Sequence, residues 1–266
     1  MACRESSLDF LRSLGYTAIH LPRERIAPLD LVGRLPGGRA RHLGSLTALM
    51  VGDGEVPPVT RDEVVAEISG RHTDALDVGI GLRLLVRFLS ALAPVTLALD
   101  AVFERARRIE FTYEDVRSDS VDLIALRRWL GRRPPLDHTN PVIDDYFIGE
   151  GEAVVITRTL KSNRFGVTAY DEAEQRLAID LTRQRRALAE AGVEVTQDAR
   201  WKTSFRGSVR LVFAFQGFLL RIDSRGLHVS DDVPPEMGLL AVAPVLGEEV
   251  RPRPVVWPAH GLLRLD

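Results

Sequence analysis

The residues able to do chemistry are few and scattered. The chain holds one cysteine, Cys3, and six histidines: His20, His42, His72, His138, His228 and His260. A lone thiol excludes an internal disulfide and any multi-thiolate metal centre built within one chain. No two histidines have the spacing of a zinc-binding helix, and no carboxylate stands between a pair as metalloprotease chemistry requires. Gly79-Ile80-Gly81 opens like a dinucleotide loop, but the third glycine and the leading strand are missing. Phosphate-loop, serine-hydrolase and kinase signatures are absent too. The adjacent acids Asp144/Asp145 and Asp231/Asp232 diverge in direction and read as loop solvation. The expectation is a protein that is not an enzyme and uses no metal or cofactor.

Cys3 alone has two readings. It is either an accidental exposed thiol or, so near the chain start, the carrier of a thioester-linked acyl chain. The opening Met-Ala-Cys-Arg-Glu-Ser-Ser has no apolar signal core, and Ala2 stands where myristoylation needs glycine. A cytosolic, reducing location is therefore expected.

The 266 residues are 45% hydrophobic and 27% charged with a formal net charge of −2, the balance of a folding chain rather than a disordered one. A pI near 6.3 offers no global basic field, so no nucleic-acid partner is expected. Three arginine clusters, Arg105/Arg107/Arg108, Arg127/Arg128/Arg132/Arg133 and Arg183/Arg185/Arg186, are interleaved with acids. They read as ion-paired solvated faces, with contact to anionic lipid head groups as the alternative. The apolar stretch Ala75 to Leu99 is as long as a membrane span, yet Asp77, Arg83, Arg87 and Pro94 interrupt it. It reads instead as an amphipathic helix with Leu82, Leu85, Phe88, Leu89 and Leu92 turned inward.

Patterning sketches the elements around these residues. Ser6 caps a short helix stopped by Gly15, and strands follow at Tyr16 to Leu21 and, after a Pro-Gly-Arg loop at 35–41, at Leu46 to Val51. Ile109, Phe111 and Tyr113 alternate with Glu110, Thr112 and Glu114, marking a half-buried strand. Ser120 starts a helix ending near Leu130. Glu152 to Leu160 and Phe165 to Tyr170 flank the polar Lys161-Ser162-Asn163-Arg164, which predicts a hairpin. A helix opens at Asp171/Glu174, buries Leu177, Leu181 and Leu188 and stops at Gly192. Strands resume at Val193 to Thr196, Ser208 to Phe215 and Phe218 to Ile222. No regular alternation of strand and helix runs through this order, so the expected class is α+β with a twisted, largely antiparallel central sheet and surrounding helices.

From Asp231 the composition changes. Pro234, Pro235, Pro244, Pro252, Pro254 and Pro258 forbid regular helix or central strand, leaving an extended arm. Its apolar residues, among them Val255, Val256, Trp257, Leu262, Leu263 and Leu265, are too many for a solvated linker. The arm must dock on the body, without forming a core element, while Gly247-Glu248-Glu249 with Arg251 and Arg253 loops into solvent.

Cys3 followed by Leu8-Asp9-Phe10-Leu11, then Leu14-Gly15-Tyr16, Leu21-Pro22-Arg23, Ile26 and Pro28-Leu29, resembles the start of bacterial gasdermins. Ile156-Thr157-Arg158-Thr159-Leu160-Lys161-Ser162-Asn163-Arg164-Phe165 and Leu211-Val212-Phe213-Ala214-Phe215 extend the resemblance over nearly the whole chain. The resemblance implies an autoinhibited pore former: a body at 1–246, a short inhibitory peptide at 247–266 and a palmitoyl chain on Cys3. It implies activation by a caspase-like or other protease, with the bond between Leu246 and Gly247 as the expected cut and Arg251 or Arg253 as runner-up for a basic-specific enzyme. The freed body would then leave the cytoplasm, meet anionic or mixed lipids of the cell membrane and self-associate into a large β-barrel ring. The outcome would be cell death, typically in antiphage defence. Regions 46–99 and 152–195 would supply the spanning strands, with Arg83, Arg87, Glu174 and Asp180 facing water. The competing reading is a soluble lipid- or peptide-binding module whose arm is permanently docked.

Overall fold

The computed structural model describes residues 7–51, 55–68, 76–77, 82, 85–86, 88–90, 103–224, 226–230, 252–257 and 263–265. A helix, Ser7–Ser13, leads into β1 (Thr17–Arg23), β2 (Asp30–Arg34), β3 (Ala40–Ser45), β4 (Val59–Val64) and β5 (Leu76–Asp77). Next come β6 (Arg108–Glu114), β7 (Arg117–Val121), a helix Leu123–Gly131 and the short helical turns Pro141–Ile143 and Asp144–Ile148. The chain continues through β8 (Glu152–Tyr170), β9 (Arg176–Leu177), a helix Arg185–Glu190, β10 (Glu194–Gln197), β11 (Thr203–Asp223) and β12 (Gly226–Val229). Among the described residues these twelve strands form one sheet, and every pairing between named strands is antiparallel. The expected α+β class holds.

Two long strands, β8 with 19 residues and β11 with 21, organise the sheet. They pair with each other from Ala153↔Leu220 to Val167↔Thr203. The free margin of β8 takes β2 at Glu152 to Val155, β7 at Arg158 to Lys161 and β6 at Arg164 to Tyr170. The free margin of β11 takes β10 at Thr203 to Arg206, β1 at Val212 to Phe215 and β12 at Leu220 to Asp223.

The expected hairpin at 161–164 is therefore a correction: the chain runs straight through it. Each residue that resembles turn chemistry is held by a neighbouring strand. Lys161 Nζ lies 2.8 Å from Asp119 Oδ2, Asn163 Nδ2 donates to Gly207 O at 3.0 Å, and Arg164 Nε lies 2.6 Å from Glu114 Oε2. Likewise, 208–215 and 218–222 are one strand. Gly217 sits at a register shift, and a Cβ there would stand 2.4 Å from Val154 Cγ1, so the glycine lets the strand continue where a larger residue would collide.

Three smaller expectations also change. Leu46–Leu49 is a 3-10 turn rather than a strand, because the Ser45 hydroxyl accepts from Thr47 N and Leu46 and Leu49, three apart, bury together. Ser120 belongs to β7, and the helix begins after Asp122, whose carboxylate accepts from Ala125 N at 2.7 Å and turns Leu126, Trp129 and Leu130 inward. Asp171 makes a turn instead of opening a helix: its Oδ1 accepts from Ala173 N and Gln175 N, both at 2.9 Å, and returns the chain into β9. The inward set Leu85, Phe88 and Leu89 is buried as expected, against Phe111, Phe165 and Leu188. Leu92, Arg83 and Arg87 lie outside the described residues.

A charge network staples β4 and β7 to the long strands. Lys161 Nζ also reaches Asp62 Oδ1 at 3.0 Å, and Arg210 Nη2 reaches Asp115 Oδ2 at 2.7 Å. The hydrogen bond from Lys161 holds the Asp62 carboxyl below its ordinary range, and that from Arg210 does the same for Asp115. A depressed folded-state pKa stabilises fully above the unfolded value and is lost as pH falls through the folded one. Thermal stability should therefore decline below about pH 4, and the paired substitution Asp62→Asn/Asp115→Asn should flatten that decline. Both side chains are substantially exposed, so the effect is small; an unchanged slope in the double variant counts against the staple.

Candidate functional site: the seat of the C-terminal arm

β1 begins at Thr17, opposite Phe215, and β12 reaches only as far as Leu220 of β11. Between them the β11 margin has a gap, and Val255 fills it. Its N–H donates to Gly217 O at 2.8 Å in an antiparallel bridge. Thr17 locks this piece in place: its hydroxyl donates to Val255 O at 3.2 Å and accepts from Trp257 N at 3.0 Å. Gly15, at φ 79°, makes room beside it, since a Cβ there would lie 2.4 Å from Pro254 Cγ. Gly15, expected only to end the first helix, also admits the arm.

Residues 263–265 occupy a second seat. Leu263 N donates to Ala18 O at 2.8 Å and His20 N donates to Leu263 O at 2.7 Å, a parallel bridge on the outer margin of β1. Two residues on, Leu265 bridges Ala40 of β3, again in parallel, and the Arg23 guanidinium donates to Leu265 O. β1 and β3 are the opposite ends of the path β1-β11-β8-β2-β3. Two residues of extended chain span about 7 Å, so the sheet must be rolled until its two ends flank a single inserted stave. Four antiparallel steps separate β1 from β3, so they run the same way, and a segment between them must be parallel to both.

The side chains of this arm face inward. Val255, Trp257, Leu263 and Leu265 are 1, 3, 7 and 5% exposed and pack with Ile19, Val32, Ile156, Val212 and Phe215. This corrects the expectation of an arm that docks without entering the core: a rolled sheet has an interior, and these residues help to fill it. Val256 is half-buried. The Arg34 guanidinium lies 5.4 Å from the Trp257 ring centroid and 3.1 Å from Glu152 Oε2, tying the arm to β2 and β8. The roles of Thr17, Arg23 and Arg34 carried no sequence signal, since they depend on which strands the arm crosses.

Cys3, Leu246, Gly247 and Leu262 lie outside the described residues. Among the described residues no three His, Cys, Asp or Glu converge to hold a metal ion, and no helix is long and apolar enough to cross a membrane.

The family model for the Bacterial Gasdermin Family matches residues 19–227, most of the rolled sheet. The chain belongs to the bacterial gasdermin family. It is 32% identical over 218 residues to Gasdermin bGSDM of Vitiosangium sp. (strain GDMCC 1.1324), covering 81% of each chain. It is also 32% identical over 255 residues to Gasdermin bGSDM of Lysobacter enzymogenes, covering 94% of this chain and 90% of that one. Among solved structures, a bacterial gasdermin from Bradyrhizobium tropiciagri superposes with a TM-score of 0.63 at 17% identity, covering 85% of this chain and 91% of that chain. The gasdermin fold is thus shared, and the family match stops short of the arm.

Proposed function

We propose that this gasdermin is a latched pore former: proteolytic removal of the arm, between Leu246 and Gly247, frees the body to assemble into a membrane-spanning ring. The observation that carries this reading is the stave at 263–265, which covers the outer margins of β1 and β3 at once. A β-barrel in a bilayer must satisfy every backbone group by pairing between strands, and while the stave is seated the covered parts of β1 and β3 are closed to pairing with neighbouring copies. Once the covalent link is cut, the seat is held only by bimolecular affinity and loses an effective concentration in the millimolar range. Spanning strands need about ten residues, and regions 46–99 and 152–195 are the proposed source. Glu174 and Asp180 are exposed, as residues destined for a water-filled lumen should be. A palmitoyl chain on Cys3 would assist insertion, since a single acyl chain anchors only marginally. The biological outcome is death of the host cell in antiphage defence, triggered by a neighbouring caspase-like or other protease. The inactive chain would be cytoplasmic and the active one in the cell membrane.

Dye release from liposomes tests this. The intact chain should leave vesicles sealed, and a chain cut after residue 246 should empty them. A cut chain that stays monomeric with sealed vesicles sinks the proposal. The arm's share in the core favours one rival, a binding module with a permanent arm; there, deletion of 247–266 would unfold the body instead of making it toxic.

A further inference from the structure

The three tryptophans divide sharply. Trp129 and Trp257 are buried, whereas Trp201 is 48% exposed at the tip of the β10–β11 turn. It is held there at φ 64°, a left-handed conformation that bulky residues rarely adopt. The turn imposes this geometry. Asp198 N donates to Lys202 O at 3.0 Å, and Asp198 Oδ1 accepts from Arg200 N at 2.8 Å and Lys202 N at 3.0 Å. Gly166 leaves room for the Lys202 stem, since a Cβ there would lie 2.3 Å from Lys202 Cε, and the ammonium turns inward onto Glu114. The Asp198 carboxylate thus serves the turn's own backbone and Lys202 serves the interior. What remains facing solvent is the indole and the exposed Arg200 guanidinium, which has no ion-pair partner among the described residues. Arg176, whose Nη1 donates to Arg200 O at 3.4 Å, adds a second cation, while Arg206 beyond it faces Glu194 at 3.9 Å.

We infer that this turn is a membrane-contact point, with the Trp201 indole entering the interfacial layer of a phospholipid bilayer and Arg200 meeting anionic head groups. Tryptophan has an apolar body and a polar N–H edge that suit the head-group level, and a neighbouring arginine gains from negative surface potential. The other exposed apolar residues, such as Val64 and Ile124, are aliphatic and carry no strain. Among the described residues Trp201 is the one exposed aromatic, and the exposed Arg200 stands next to it. The inference rests on the membrane-acting reading above and adds where first contact is made.

The test uses the full chain, cut in the presence of vesicles of phosphatidylglycerol and phosphatidylcholine brominated on its acyl chains. The emission lost in Trp201→Phe reports Trp201 itself; it should shift to the blue and be quenched. Trp201→Gly should lower vesicle affinity on the order of tenfold while melting no lower than the wild type, because glycine adopts φ 64° without strain. Unquenched Trp201 emission with wild-type leakage in Trp201→Gly overturns the inference and leaves the pore former standing. Failure of the wild type to bind vesicles overturns both. Trp201-dependent dimers in solution, with no quenching by lipid, would reassign the turn to a second copy of this chain.

Discussion

Trp257→Ala is expected to make the uncut chain leak. The indole is 3% exposed, its backbone N–H is held by the Thr17 hydroxyl, and its face carries the Arg34 guanidinium. Truncating a buried tryptophan costs about 3–5 kcal/mol. Here the loss falls on the docked arm, because the undocked state keeps the body and merely exposes a smaller side chain. The undocked population should rise by roughly two to nearly four orders of magnitude. Dye release by the uncut variant and faster amide exchange at Val255 and Leu263 would both report it. The informative contrary result is a body that melts early while vesicles stay sealed, which places Trp257 in a permanent core and favours the binding module.

Lys161→Met should have an effect of comparable size on the body. Lys161 sits in the middle of β8 with its side chain 14% exposed, and Asp119, its partner at 2.8 Å, is 9% exposed at the side chain. Asp119 Oδ1 also accepts from Asp62 N at 2.9 Å, so the carboxylate cannot swing out without releasing β4. Removing the lysine leaves a buried charge uncompensated, at a cost of about 3–5 kcal/mol. A chain of this size should lose on the order of 10 °C in melting temperature. Replacing both partners, Asp119→Leu/Lys161→Met, should recover most of the loss, because the isolated charge rather than the missing pair is the penalty. If the double variant melts no higher than the single one, the pair is not acting as a unit.

Local rules read β6 correctly because Ile109 and Phe111 are buried while the alternating Glu110 and Glu114 stay partly accessible. They failed at 161–164 for an equally physical reason. Lysine, serine, asparagine and arginine look like a turn when isolated, but here Asp119, Glu114 and Gly207, each more than forty residues away in sequence, hold them in an extended strand. Gly217 likewise looked like a break and is a close-packing site, which only the approach of Val154 reveals. The arm itself was legible, since prolines forbid regular structure while Trp257 and the leucines demand cover. Its landing place was not. Nothing in a linear reading says that the sheet rolls, and the pairing of Leu263 with β1 and Leu265 with β3 exists only once it has.

The wide separation between Ile19 and Leu263, the two sides of one bridge, also orders events at the ribosome. At about 5–20 residues per second, the strand that receives the stave is translated roughly ten seconds or more before the residues that cover it. During that interval a nascent body would expose unpaired strand margins in the cell that makes it, next to other copies emerging from the same polysome. The margins of β1 and β3 that the stave closes therefore stay open until residues 263–265 have been made.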